Sequence, residues 1–162
     1  MRKDKIMSHD EEIHALLERA RRYCAMAEQC ESGVRQKLVT WGCHADDADP
    51  IVARLREEGY IDDLRYARTY CESKIANQQW SRQKVLYQLR LKRLPKEAID
   101  AGMATVSNEA YMAMLAELAA KKRDELAATY GDDTSRRLEA FLAQRGFTFD
   151  EINQAIKNIA GK

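Results

Sequence analysis

The stretch SRQKVLYQLRLKRLPKEAIDAGM, residues 81–103, holds the pattern that decides the fold. Two other stretches lie over it position by position: CESGVRQKLVTWGCHADDADPIV at 30–52 and TSRRLEAFLAQRGFTFDEINQAI at 134–156. The anchors are Leu38, Leu89 and Leu142, spaced 51 and 53 residues apart. Four positions before each anchor stand Val34, Val85 and Leu138; five after stand Cys43, Leu94 and Phe147. Ten after come Ala48, Ile99 and Ile152, and fourteen after come Val52, Met103 and Ile156, so all twelve positions are apolar.

These offsets are helical contact spacings interrupted by a turn, which predicts two short helices with a tight connection. Gly42 and Gly146 fall at that turn in the first and third copies, where a left-handed residue ends a helix. The second copy has Arg93 there and Pro95 two residues later, which predicts a turn built differently. Ser81 and Thr134 stand where an N-cap belongs, whereas the first copy offers Cys30 with Ser32 nearby.

A longer helical pattern precedes each pair. Its apolar face is Ile13, Leu16, Leu17, Ala20, Cys24 and Ala27 in the first copy, and Leu64, Ala67, Cys71 and Ile75, capped by Asp62 or Asp63, in the second. In the third it is Tyr111, Leu115, Leu118 and Leu126, starting at Ser107 or Asn108 and stopping at Gly131. The expected fold is all-α, three tandem three-helix, helix-turn-helix-like repeats in an elongated, curved array, with units at 10–58, 59–105 (basic) and 106–162. A unit of about fifty residues is near the lower limit for independent stability, so neighbours should lean on each other. Accidental amphipathic periodicity in a single helical bundle is the alternative that the pattern leaves open.

Composition agrees with this class. With 162 residues, 45% hydrophobic and 33% charged, and only two prolines and seven glycines, the chain favours long helices over an all-β fold. Its first ten residues are charged and lack a signal-peptide core, and no later run approaches a membrane span, so a cytoplasmic protein is expected. The four cysteines, Cys24, Cys30, Cys43 and Cys71, lack zinc-ribbon or thioredoxin spacing and read as reduced structural residues.

Catalytic chemistry is not visible. His9, His14 and His44 have no metal-site spacing, and the first two read as solvated at the start of a helix. Asp62 and Asp63 are explained by capping and the helix dipole. No glycine-rich phosphate loop or strand-borne nucleophile is present. Trp41 and Trp80 flank helix ends and read as core or staple residues rather than stacking platforms. No enzyme activity, cofactor or metal is expected.

The net charge is only +1, so the distribution of charge matters more than its sum. From Ser73 to Lys96 the chain carries Lys74, Arg82, Lys84, Arg90, Lys92, Arg93 and Lys96 without one aspartate or glutamate. The first copy instead has Asp46, Asp47, Asp49, Glu57 and Glu58. On a helix from Arg82 to Arg93, Val85, Leu86 and Leu89 form the buried face; Lys84, Tyr87, Gln88 and Leu91 point away, with Arg90 on the flank. Cations mixed with a tyrosine and an exposed leucine suit a protein or protein–DNA partner. The candidate partner and DNA-binding residues are Lys74, Arg82, Lys84, Tyr87, Arg90, Lys92, Arg93 and Lys96. Reading of DNA sequence is disfavoured, since only the last helix of the third copy, with Asn153, Gln154, Lys157 and Asn158, offers side chains suited to base edges.

The stretch EEGYIDDLRYARTY, Glu57 to Tyr70, together with the triple unit and the basic second copy, resembles the RecX family of bacterial regulators of the RecA recombinase. Its most specific part is Glu58-Gly59-Tyr60-Ile61-Asp62-Asp63 followed by Arg65, Ala67 and Arg68, and the likeness spans nearly all the chain after the first ten residues. Cys30 in place of a cap hydroxyl and Pro95 in the second unit depart from the pattern. The resemblance implies a monomer that binds the RecA filament on single-stranded DNA, limits its growth and lowers recombinase, ATPase and coprotease activity in DNA repair and the SOS response. Weak, sequence-independent contact with single- or double-stranded DNA is implied as well. Tyr60, Asp62 and Asp63 are expected to join the first two copies rather than touch the partner. An autonomous helix-turn-helix-like nucleic-acid-binding protein and a scaffold for an unrelated protein are the alternatives.

Overall fold

The computed structural model describes residues 6–161. The expectations about the first five residues and Lys162 lie outside the described residues. Nine α-helices and no strand occur among the described residues, and they follow in threes. The first unit contains α1 (His9–Met26), α2 (Glu31–Thr40) and α3 (Ala45–Glu57). The second contains α4 (Asp63–Glu72), extended by a π-helical turn Ser73–Asn77, then α5 (Arg82–Leu91) and α6 (Lys96–Met103). The third contains α7 (Asn108–Tyr130), a 3-10 turn Gly131–Asp133, α8 (Thr134–Gln144) and α9 (Phe149–Ile159). None of the described helices is long and apolar enough to cross a membrane.

None of the twelve repeat positions is exposed. The turns between the short helices share one geometry. The N–H groups of Cys43, Leu94 and Phe147 donate to the carbonyls of Leu38, Leu89 and Leu142, closing each helix on its own anchor residue. The left-handed residue is Gly42 (φ 84°), Arg93 (φ 57°) or Gly146 (φ 97°). The second copy is therefore not built differently: Arg93 accepts the conformation that glycine takes elsewhere, because the same two backbone hydrogen bonds hold it there. The end of α3 repeats the motif once more, with Gly59 at φ 81° and Tyr60 N–H on the Leu55 carbonyl.

The caps depart from the expected plan twice. Ser81 caps α5 by accepting from Lys84 N–H, but Thr134 lies inside α8 and donates its hydroxyl to the Gly131 carbonyl. The preceding 3-10 turn shifts the cap position to Asp133, whose carboxylate is taken by Arg136 and Arg137. At α2, where Cys30 has no cap oxygen, the acceptor comes from the second unit: Asp63 Oδ1 takes the Glu31 N–H at 2.9 Å. Asp62 is left to cap α4 through Arg65 N–H.

Two apolar clusters result. Ala20, Val34, Leu38, Ile51, Val52, Leu55 and Ile61 form the core of the first unit. The second and third units share one cluster, running from Ala67, Cys71 and Leu89 to Tyr111, Leu115, Leu142 and Ile152, with Cys30 reaching into it from the first unit. The two junctions consequently differ in kind. Between the second and third units, buried Tyr111 accepts the Arg82 N–H and packs on Phe147, and Gly146 leaves room for the buried Ser81 hydroxyl, which an added Cβ would meet at 2.7 Å. Between the first and second, polar bonds dominate: Asp63 on α2, Ser32 Oγ on the Lys92 carbonyl, and Arg65 forked onto Glu28 while also reaching the Gly59 carbonyl. Of the three residues expected to join the copies, Asp63 bonds across this joint, Asp62 caps α4 beside it, and Tyr60 packs against the first unit's core. The accessible surface of 10689 Å² exceeds the roughly 8,200 Å² of a compact monomer of this mass, in keeping with an extended array.

Inside the second unit, α4 packs closely on α6. A Cβ added at Gly102 would lie 2.7 Å from the Ala67 carbonyl oxygen and 2.9 Å from its Cβ, so the backbones touch where only hydrogen fits. Gly102→Ala should lower stability by about 1–3 kcal/mol from overpacking, despite the roughly 1 kcal/mol alanine gains in helix propensity. Urea unfolding followed by helicity measures this, and an unchanged or raised midpoint contradicts the packing. Arg93→Gly should act oppositely, raising stability by about 0.5–1 kcal/mol by removing left-handed strain from a residue with a Cβ; a lower midpoint would show that the turn is not strained.

Candidate partner-binding surface

The helix α4 presents Tyr66 and Tyr70 one turn apart, and the π-helical turn that follows carries Lys74 and leads to Trp80. Tyr66 and Tyr70 stack with centroids 5.7 Å apart, and Tyr70 meets Trp80 edge to face at 6.2 Å. All three rings are half-buried, and three lysines cover Tyr70 and Trp80. Lys74 Nζ lies 5.4 Å from the Tyr70 centroid and 4.9 Å from that of Trp80; Lys84 Nζ lies 4.1 Å from Trp80 and Lys92 Nζ 5.7 Å from Tyr70. Aromatic faces hold ammonium groups without neutralising them, so the positive charge stays available to a partner. Trp80 is therefore a platform under two lysines as well as a packing residue, whereas Trp41 lies under Arg19 and against Tyr23.

The exposed side of α5 continues this surface. Tyr87 is 61% exposed and Leu91 59%, with Arg90 exposed beside them, while Leu86 and Gln88 are half-buried rather than fully in or out. Val85 and Leu89 alone on this helix are fully buried, which makes the buried stripe narrow and leaves more of α5 to solvent than the expected three-residue face.

The remaining basic residues go elsewhere. Arg82 turns toward the third unit, with its guanidinium 4.1 Å from the Tyr111 centroid and Nη1 donating to Asn108 at 3.2 Å. Arg93, swung out by its left-handed backbone, lines a cleft with Glu31, Arg56, Asp62, Asp63 and Pro95 at the joint with the first unit. Lys96 stands on α6, 3.9 Å from Asp100. Lys74, Lys84 and Lys92 are thus brought together, Tyr87 and Arg90 join them along α5, and Arg82, Arg93 and Lys96 are dispersed.

Pairing separates the first two units sharply. In the first, Arg21 binds Glu58 and Glu18, Arg54 binds Glu58, Arg35 binds Asp49 and Glu31, and Arg56 binds Glu31. The Arg21 and Arg54 guanidiniums hold the Glu58 carboxyl down at about 2. Asp47 accepts from His9. Among the described residues, Lys74, Lys84, Arg90, Lys92 and Arg93 have no carboxylate within ion-pair distance. Individual surface pairs add little stability, but they cancel the local field, so the outward positive potential comes mainly from the second unit.

Sequence spacing missed the groove where this unit meets the third. It holds about 430 Å³ and is lined by Trp80, Gln83, Lys84, Tyr87, Gln144, Arg145 and Gly146. Arg145 Nη2 donates to the carbonyls of Gln78 and Gln79, both at 3.1 Å, across more than sixty residues of sequence. No local pattern announces that contact, although the Tyr66, Tyr70, Lys74 succession at helical spacing was visible. No cluster of three or more His, Cys, Asp or Glu side chains able to hold a metal ion occurs among the described residues.

Comparison with known proteins matches this architecture. Residues 62–103 fit the family model described as RecX, second three-helix domain, and residues 109–156 fit RecX, third three-helix domain, together more than half of the chain. A regulatory protein RecX of Clostridium acetobutylicum is 28% identical over 158 residues, which cover 95% of this chain and 72% of that protein. One from Shigella dysenteriae serotype 1 is 25% identical over 155 residues, covering 90% and 92%. The crystal structure of RecX from Lactobacillus salivarius has the same fold, with a TM-score of 0.84 at 17% identity over 94% of this chain and 99% of that one. From the repeats, the joint built by the 58–65 motif and these matches, the chain belongs to the RecX family and is a regulatory protein of the RecX type.

Proposed function

We propose that this regulator acts on the RecA filament assembled on single-stranded DNA, lying along it and lowering recombinase, ATPase and coprotease activity in DNA repair and the SOS response. The observation that carries the proposal is the placement of charge: Lys74, Lys84, Arg90, Lys92 and Arg93 of the second unit lack carboxylate partners among the described residues, whereas most of the first unit's arginines are neutralised internally. A filament of recombinase and DNA is a linear polyanion, and an unpaired basic face is drawn to it and oriented by it. Tyr87 and Leu91, large and exposed in the middle of that face, supply area that charge alone does not. The extended array lets one chain reach neighbouring subunits, and the exposed acids Asp46 and Glu57 of the first unit are free to meet basic patches there.

The rival reading, an autonomous helix-turn-helix-like nucleic-acid-binding protein, is less well supported. Its recognition helix would be α9, where Gln154 Nε2 already donates to Asn158 at 2.9 Å and Asn153 is half-buried. Few side chains remain there to fork onto base edges.

RecA ATPase on single-stranded DNA is the direct test. Substoichiometric amounts of this protein should depress the rate, with the effect weakening as salt screens the basic face. An ATPase rate unchanged even at one copy per RecA subunit would overturn the proposal.

A further inference from the structure

The groove between α5 and the α8–α9 turn has a composition that the filament reading does not require. It joins an unstacked tyrosine, two cations held in place, and two amide side chains, around a volume of about 430 Å³. We infer that this groove is a subsite for one unstacked nucleotide of single-stranded DNA, with Tyr87 as the stacking ring. The inference rests on the proposal that this face meets the recombinase–DNA filament and assigns the chemistry of one contact.

The residues divide the work as a nucleotide requires. Trp80 is covered by Lys74 and Lys84, so its faces are occupied; Tyr87 is 61% exposed and its ring makes no aromatic stacking or cation–π contact among the described residues, which leaves it to stack on a base. Arg145 is fixed in advance, since Nη2 is planted on the Gln78 and Gln79 carbonyls and its guanidinium lies 5.6 Å from the Phe141 centroid. Lys84 is likewise held over Trp80. Two cations immobilised before binding lose little entropy on meeting phosphate. The one carboxylate close by, Glu151, is engaged by Thr148 N–H in a capping box and by the Gln83 amide at 3.3 Å, which partly offset its charge against the two cations. Gln144 puts an amide, able both to donate and to accept, on the groove wall, while Gln83 directs its amide nitrogen at the Gly146 carbonyl and Glu151 and keeps its oxygen as an acceptor. A stacking ring with backbone-tracking cations binds single strands with little regard to sequence, because every base has a π-face. A duplex keeps its bases stacked and offers none to the ring.

The test uses the full chain without recombinase, so its failure leaves the filament reading standing, while the ATPase assay judges that reading separately. Fluorescence anisotropy with a labelled oligo(dT), and with an abasic strand of equal length and charge, reads the subsite. Tyr87→Ala should weaken oligo(dT) binding about 5- to 100-fold, Tyr87→Phe should stay near wild type, and the abasic strand should bind more weakly and be indifferent to both substitutions. Position 87 is exposed, so neither variant is expected to disturb folding, which circular dichroism checks. Equal binding of oligo(dT) by wild type and Tyr87→Ala would overturn the inference, as would equal wild-type affinity for abasic and base-bearing strands. Loss of RecA inhibition by Tyr87→Ala with oligo(dT) binding intact would also overturn it, assigning the ring to a protein surface.

Discussion

Backbone contact between α4 and α6 at Ala67 and Gly102 is the constraint on which the rest of the molecule depends. It draws the first and last helices of the middle unit together more closely than any side chain allows. The outer sides of that unit then become docking faces: Asp63 and the Lys92 carbonyl receive α2 on one side, and Ser81 and the Arg82 N–H receive Gly146 and Tyr111 on the other. Both neighbours are therefore positioned by atoms of α4 and α5, and those helices also carry the aromatic and lysine surface. Packing, junctions and the candidate binding face all trace to one close approach.

The two junctions use different physics. An apolar cluster runs without interruption through the second and third units, and burying such surface is the strong term in folding. The first unit keeps its own cluster and is attached largely by capping bonds and ion pairs, whose net worth is small because water competes for each group. Reciprocal capping gives direction where it gives little energy, since Asp63 must reach Glu31 N–H while Ser32 reaches Lys92. Arg93 lines the cleft at this joint and Arg145 the groove at the other, beside Arg65 and Arg82 respectively.

The fold was legible because shielding of twelve aligned apolar positions from solvent, eight of them fully buried, leaves a periodic trace, and the helix starts Ser81, Asp62 and Ser107 announce themselves by chemistry. Arg93 was misread because residue type suggests but does not dictate a left-handed turn; two hydrogen bonds to Leu89 and Arg90 outweigh the strain. Thr134 was misread because a 3-10 turn moves the helix start by one residue, below what spacing resolves. The basic segment was plain in composition, yet composition could not say that Arg82 would turn inward or Lys96 lie near Asp100. Arg145 was invisible because its partners are backbone carbonyls of another unit, which carry no residue signature.

The proposed function rests on the surface of the middle unit and not on the shared core. The most direct measurement is inhibition of RecA strand exchange by the double variant Lys84→Glu, Arg90→Glu, with helicity followed in parallel. Both side chains are exposed and neither has an ion pair among the described residues, so the helical signal should be unchanged while inhibition falls. Undiminished inhibition by a folded double variant would contradict the assignment of function to this face.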